Sequence, residues 1–265
     1  MSSEVPSTRR HVVGIPVSSG PLGDVGAALA SREPNQAFTV TFVNPWACAL
    51  ARRVPEYIGL LRGFDWVCCD GIGMVVAAHV AGLERVQREA FDFTSVAHPV
   101  FDWAAREGAT IGLVGGAPGV SAATAEWLAG RYPQMKLTRA FAGFGEDVDA
   151  ALRHHLALGN SLVVCGMGAP RQERFLLELV RRGWTGVGFT CGGFFDQLLT
   201  REHYYPGWVD RANLRFLYRL YREPRRLWWR YLVEYQVFVW RLAGLSLRRL
   251  AGGVRREQAD DGRVQ

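Results

Sequence analysis

The feature that most limits how this chain can fold is a recurring junction, in which a short apolar run closes on glycine and hands over to a helical pattern. Trp66-Val67-Cys68-Cys69 ends on Asp70-Gly71-Ile72-Gly73 before a helical Met74–Ala81. Ala109–Val114 ends on Gly115-Gly116-Ala117-Pro118-Gly119, and Ser161–Cys165 on Gly166-Met167-Gly168-Ala169-Pro170. Runs this short and this continuously apolar suit strands buried on both faces, and such strands are usually parallel. Parallel neighbours need crossovers, and helical patterns recurring at roughly 25-residue spacing supply them. The expected fold is α/β: a Rossmann-like, mostly parallel sheet with helices on both faces.

The remaining pattern fills in that frame. His11–Val17, Phe38–Val43, Met135–Phe141 and Thr185–Thr190 read as strands. Gly23–Ser31, Trp46–Leu61, Thr94–Arg106, Val120–Tyr132, Asp147–Leu158 and Arg171–Arg182 read as helices, with an irregular charged stretch over Gly82–Phe93. These place a core over residues 11–203, after a polar, disordered 1–10 that no apolar signal-peptide run follows. The five cysteines lie mostly in strand-like runs without CxxC spacing, a pattern of reduced thiols in the cytoplasm rather than of zinc or disulfides.

From residue 204 the texture changes. Residues 201–265 hold fourteen Arg against seven acids, whereas the whole chain carries +6, so everything before residue 201 sums to −1. The basic charge is therefore local, which points to an anionic surface or ligand there and not to a nucleic-acid coat. Residues 204–240 also carry twelve aromatics and no Lys. The pattern predicts a helical appendage over 204–250, with a helix over Arg211–Arg222 and a second from Pro224 to about Leu245, before a disordered tail at 251–265. In the second helix Trp228, Tyr231, Leu232, Tyr235, Phe238, Val239, Leu242 and Leu245 form one stripe. Interrupted by Glu234, Gln236 and Arg241, it is too polar to span a bilayer and fits either a membrane surface or packing on the body.

Candidate chemistry collects where strands end. Asp70 sits at the carboxyl end of its strand, the edge where open α/β sheets bind ligands, and there a carboxylate can take a proton from a substrate or simply cap the next helix. Gln172 and Glu173, in the first turn after Pro170, face the same edge, and Gln172 offers both a donor and an acceptor. Backbone N–H groups around Gly116 and Gly168 can hold phosphates. Neither turn is GxGxxG, and no acid closes the strand after the first, which argues against a nicotinamide-dependent oxidoreductase. Asp147-Val148-Asp149 has the form of a metal-holding pair, but beside Glu146 it also reads as acids opposing a helix dipole. No metal ligand set stands out.

Together these stretches resemble the WecG/TagA/CpsF family of bacterial glycosyltransferases. The matching pieces are Val43-Asn44-Pro45, Asp70-Gly71-Ile72-Gly73, Gly168-Ala169-Pro170-Arg171-Gln172-Glu173, Leu217-Tyr218-Arg219-Leu220 and Glu223-Pro224-Arg225-Arg226-Leu227-Trp228. The resemblance implies inverting, metal-independent transfer from a UDP-sugar to a saccharide on a polyprenyl diphosphate, at the inner face of the cell membrane, with no cofactor. It implies Asp70 as catalytic base, with Asn44, Thr41, Gly71, Gln172, Glu173, Arg88 and Gly116 toward the substrates. It implies Arg219, Arg226 and Arg230 on the diphosphate, as an Arg fork suits phosphate oxygens, in an appendage that docks over the site and brings the enzyme to the membrane.

The sequence departs from the family pattern in three places. Phe42 stands where the family commonly has Thr, with Thr41 one place earlier and facing the other way on a strand. Trp229 stands where a third appendage arginine is usual, with Arg230 next to it. The segment around Arg88 and Asp92 is altered. These changes leave the donor sugar open, and they also admit a rival reading: a non-catalytic nucleotide-sugar or membrane-surface binding module. A homo-oligomer built on the apolar helix stripe is compatible with either.

Overall fold

The computed structural model describes residues 9–22, 28–29, 35–159, 161–200, 209, 215–222 and 224–250. The segments read as disordered (1–10 in most part, and 251–265), most of the expected first helix and most of 201–214 lie outside the described residues.

The centre is a six-stranded, wholly parallel sheet. Its strands are β3 (Phe38–Val43), β4 (Trp66–Cys69), β5 (Thr110–Gly115), β6 (Lys136–Leu137), β7 (Leu162–Gly166) and β8 (Val187–Thr190), in the spatial order β4-β3-β8-β7-β5-β6. Strand β3 is the pivot, pairing with β4 on one side and β8 on the other. Chain direction along the sheet reverses there, and such reversals open a crevice outside the carboxyl ends.

Alternation along the strands divides the core in two. Phe38 and Val40 of β3, Ile111 and Leu113 of β5 and Phe189 of β8 pack on one face with Phe101 and Leu128. Val43 of β3 and Val163 and Cys165 of β7 pack on the other with Tyr57, Met74, Phe175 and Leu179. Both faces are covered by helices, as the unbroken apolar strands require.

The helices are α1 (Ala47–Arg53), α2 (Tyr57–Arg62), α3 (Ile72–Val80), α4 (Ala97–Arg106), α5 (Val120–Arg131), α6 (Glu146–Leu158), α7 (Arg171–Arg181) and α8 (Phe194–Thr200). The single helix expected over Trp46–Leu61 is two, because Pro55 forces Val54 into an extended conformation (φ −124°, ψ 94°). The first expected strand is an antiparallel hairpin of β1 (Arg9–Val12) and β2 (Ile15–Ser18), turned at Val13-Gly14. Of Met135–Phe141 only β6 forms a strand, with a single bridge from Val114 to Phe141. Helix α8 had no forecast, for its aromatic start reads like a strand.

The C-terminal segment continues as α9 (Arg215–Arg222), α10 (Pro224–Trp229), a π-helical turn over Arg230–Glu234 and α11 (Gln236–Leu250). The π turn corrects the expected continuous helix. It inserts an extra residue into the spiral, so the apolar stripe splits into two faces. Leu227 and Phe238 are buried, and Val237, Leu242 and Leu245 pack on the core. Trp228, Trp229, Leu232, Val239, Trp240 and Leu247 remain largely exposed. The π turn is fastened by Glu234 to Arg53 at 2.6 Å, and α11 by Arg241 Nη1 to the Val13 carbonyl at 2.9 Å and Arg249 Nη1 to the His79 carbonyl at 2.6 Å. The last contact places a cation on the C-terminal carbonyls of α3, where the helix dipole favours it.

Candidate active site

The carboxyl ends of β3, β4, β5, β7 and β8 open into one cleft of about 1060 Å³, and residues 220–239 of the C-terminal segment form its outer wall. The volume reaches the upper end of ordinary small-ligand pockets, roughly 300–1,000 Å³.

Asp70 lines this cleft. Its backbone N–H donates to the Val43 carbonyl at 2.8 Å, extending the β3–β4 ladder by one rung. The preceding Cys69 carbonyl accepts from Glu89 N at 2.9 Å, so the strand end is gripped from both sides. Gly71, and not Asp70, occupies the N-cap position of α3. Its φ of +88° lets the chain turn away sharply and leaves the Asp70 side chain at the strand's mouth.

Asn44 faces the same cleft from the next strand, its Oδ1 accepting the Trp46 N–H at 3.0 Å. Arg88 is also in the lining, paired with Asp92 at 2.8 Å. Gly116 closes β5, its N–H bound to the Gly166 carbonyl at 3.1 Å. The two glycine turns approach so closely that a Cβ on Gly115 would lie 2.4 Å from the Gly166 oxygen. Gly71 and Gln172 complete the expected residues in the lining.

Two expected residues lie beneath the cleft instead of in its wall. Thr41 and Glu173 are fully buried. Thr41 points to the α7 side of the sheet, as its odd register on β3 dictates, where its hydroxyl donates to Glu173 Oε1 at 3.1 Å and pairs with the Thr190 hydroxyl at 2.9 Å. Gln172 Nε2 donates to the same carboxyl oxygen at 3.1 Å, while Gln172 Oε1 accepts the Gly192 N–H at 3.2 Å. Burial pushes the Glu173 carboxyl above its ordinary pKa against the hydrogen bonds from Gln172 and Thr41, and its Oε2 has no partner among the described residues. Burial, and then the Glu173 charge, push the Tyr57 hydroxyl up as well. Thr41 and Glu173 therefore support the wall from beneath it.

On the C-terminal side Arg230 lines the cleft and lays its guanidinium over the Trp46 ring at 4.6 Å. The Arg219 and Arg226 side chains lie outside the described residues. Trp229 is half-exposed and stacks edge-on against Trp228.

The sequence reading missed several lining residues, among them Phe91, Phe144, Arg171, Asp196 and Gln197, and named Phe42 only as a departure from the family pattern. Arg171 covers the Phe144 ring at 4.4 Å. Asp196 and Gln197 follow Gly192-Gly193 at the end of β8, and the rule that singled out Asp70 would have found them. Asp147 and Asp149 lie in the first turn of α6, outside the cleft lining. Among the described residues no group of three or more His, Cys, Asp or Glu is disposed to hold a metal ion.

Comparison with known proteins bears on this cleft. The model of the glycosyl transferase WecG/TagA/CpsF family matches residues 10–252. The chain is 26% identical over 215 residues to a UDP-Gal:alpha-D-GlcNAc-diphosphoundecaprenol beta-1,4-galactosyltransferase of Shigella boydii, covering 80% of this chain and 88% of that protein. It is 25% identical over 187 residues to an N-acetylglucosaminyldiphosphoundecaprenol N-acetyl-beta-D-mannosaminyltransferase of Bacillus subtilis, covering 71% and 72%. A protein of the same name from Bacillus spizizenii is 28% identical over 205 residues, 77% of each chain.

Proposed function

The chain belongs to the WecG/TagA/CpsF family of glycosyl transferases, and from that premise we propose that it moves a sugar from a UDP-sugar to a saccharide on a polyprenyl diphosphate, with inversion and without a metal. The observation that carries this reading is Asp70, held at the end of β4 across from Asn44 in a cleft that the C-terminal segment walls.

In this reading the Asp70 carboxylate accepts the proton of an acceptor-sugar hydroxyl as that oxygen attacks the anomeric carbon of the donor. The new C–O bond forms on the face opposite UDP, the bond to the UDP oxygen breaks, and UDP departs with the electron pair, so the configuration inverts. The charge developing on the departing diphosphate needs donors preorganised toward it. Arg230 and Arg171 supply cationic character to the cleft, whose lining also takes in the backbone of the two turns at Gly116-Ala117 and Gly168-Ala169. Arg219 and Arg226 join them in this reading by resemblance.

The acceptor carries a long apolar chain, so the enzyme has to work at a membrane surface. No described helix is long and apolar enough to cross a membrane. The exposed Trp228, Trp229, Trp240 and Leu247 beside a run of arginines have the composition of an element that lies in an anionic interface. We therefore place the protein peripherally on the inner face of the cell membrane.

The test is UDP release with a panel of UDP-sugars in EDTA, with and without a diphospholipid-linked N-acetylglucosamine. Acceptor-dependent release from one donor is the expected result. Release that requires an added divalent cation would overturn metal independence, and UDP binding without release from any donor would favour a binding module.

A further inference from the structure

One ring in the cleft has no part in the mechanism above. Phe42 lies on β3 two residues before Asn44 and pairs in register with Cys68 on β4, two residues before Asp70. Residues two apart on a strand share a face and stand about 6.6–6.8 Å apart. Phe42 therefore sits one pleat below the polar pair Asn44 and Asp70, on their side of the sheet. Its ring is only partly buried and belongs to the cleft lining. Behind it Phe91 meets the ring edge-on at a centroid distance of 6.5 Å, and Phe91 is itself packed against Phe101, Phe189 and Phe194. The ring is thus part of an aromatic cluster, and it contributes an apolar surface without hydrogen-bonding groups to the lining, one pleat below Asn44 and diagonal to the base.

That surface asks for a particular face of a sugar. A pyranose of galacto configuration has an axial 4-hydroxyl, which gathers the hydrogens at C3, C4 and C5 into one unbroken apolar patch on the opposite face. N-Acetylmannosamine has an equatorial 4-hydroxyl, so the patch is smaller, and its acetamido group needs polar partners that a phenyl ring does not supply. The two kinds of relative act, by their names, on the same N-acetylglucosaminyl diphospholipid acceptor and differ in the donor. The donor is therefore the substrate that the lining of this cleft has to tell apart.

Resting on the UDP-sugar reading, we propose that Phe42 determines donor specificity: the cleft takes a UDP-hexose of galacto configuration, whose C–H face stacks on the Phe42 ring while its other hydroxyls meet the polar rim. Asp70 and the residues facing the diphosphate keep their roles, and Phe42 acts by contact with the transferred sugar.

The experiment is equilibrium titration of the full-length protein with UDP, UDP-galactose and UDP-N-acetylmannosamine, for the wild type, Phe42→Leu and Phe42→Met. Both variants keep the apolar volume but remove the flat ring, and their thermal melts report folding. The wild type is expected to bind UDP-galactose at least about tenfold tighter than UDP-N-acetylmannosamine, the range over which apolar contacts discriminate. In folded variants UDP-galactose affinity should fall about five- to tenfold while UDP affinity stays unchanged. A wild-type preference for the N-acetylated donor, or a preference unchanged in either folded variant, overturns the proposal while leaving the glycosyltransferase reading intact. Failure of UDP itself to bind the wild type overturns both.

Discussion

The side-chain amide of Gln172 donates to the buried carboxyl of Glu173 at 3.1 Å, so a residue facing the cleft is held by the one beneath it. The same oxygen takes the Thr41 hydroxyl, and the other end of the Gln172 amide holds the Gly192 turn. Three segments of the cleft wall are thereby tied through one carboxyl group. Glu173→Ala leaves buried Thr41 and Gln172 without their acceptor and should cost about 1–3 kcal/mol in stability. Glu173→Gln keeps an acceptor oxygen and should fold. Because burial raises the Glu173 pKa, its contribution to stability is greatest below the unfolded carboxyl pKa and is lost as pH rises through the folded value. Denaturant midpoints should therefore shift in favour of Glu173→Gln over the wild type between pH 5 and pH 8; a gap that stays constant would contradict a raised carboxyl pKa.

Asp70→Asn keeps the shape of the strand end and removes the proton acceptor. Turnover in the UDP-release assay should drop by roughly 10²–10⁴-fold, the usual worth of a positioned base, with an unchanged melting temperature and UDP affinity. Activity near the wild-type level would remove Asp70 from that role.

Arg241 joins the last helix to the first hairpin through the Val13 carbonyl, and the same carbonyl lies 3.7 Å from Cys48 Sγ. Cys48 is fully buried, and burial pushes its thiol pKa up to about 11. Arg241→Ala should loosen α11 and let a thiol reagent reach Cys48 at least about tenfold faster, since labelling follows the population of the open form. Labelling is read by mass spectrometry, and an unchanged rate would mean that apolar contacts alone hold the helix.

His155 of α6 packs fully buried over Gly112, so close that a Cβ on that glycine would fall 1.9 Å from the imidazole ring. Neither ring nitrogen has a partner among the described residues, and burial lowers its pKa to about 4. The unfolded chain binds the proton first as pH falls, so stability is lost from about pH 6.5 downward and the loss levels off near pH 4. Between pH 7.5 and pH 5 this one group should cost about 2 kcal/mol. His155→Leu should flatten the pH dependence of the urea midpoint by that amount.

Trp240 and Leu247 are the most exposed large apolar side chains of α11, at 74% and 67%. Replacing both with Glu should weaken sedimentation with anionic vesicles severalfold and leave UDP binding in solution intact. Vesicle binding equal to that of the wild type would place the membrane contact elsewhere.

The sheet and most of its helices were legible because parallel strands buried on both faces leave continuous apolar runs, and β4, β5 and β7 each end on a glycine turn. Asp70 and Gly116 were found for the same reason, since they follow those runs directly, and Gln172 from its place in the first turn of the helix after Pro170, whereas Asn44 and Arg88 were reached only through the family resemblance. Thr41 and Glu173 were expected toward the substrates, but Thr41 faces the other side of its strand and Glu173 is buried in the first turn of its helix, a matter of which face a residue takes after the chain folds. Phe42 was noticed as a departure from the family pattern, but its place in the lining emerges only with β4 alongside. The π turn at Arg230–Glu234 escaped notice because its sequence is compatible with an unbroken helix, and only docking against Arg53 and Trp46 reveals the shift in phase.

The cleft draws its walls from Phe42 to Val239, nearly the full span of the described chain. A nascent chain that has placed every strand in the sheet still lacks the outer wall, because the Arg230 to Val239 residues of the lining are then inside the ribosomal tunnel or not yet made. At roughly 5–20 residues per second, several seconds separate completion of β8 from closure of the cleft by α11. The carboxylate is thus displayed on an open sheet edge throughout most of synthesis, and a competent enclosure arises only when the C-terminal helix has emerged and fastened to the hairpin made first.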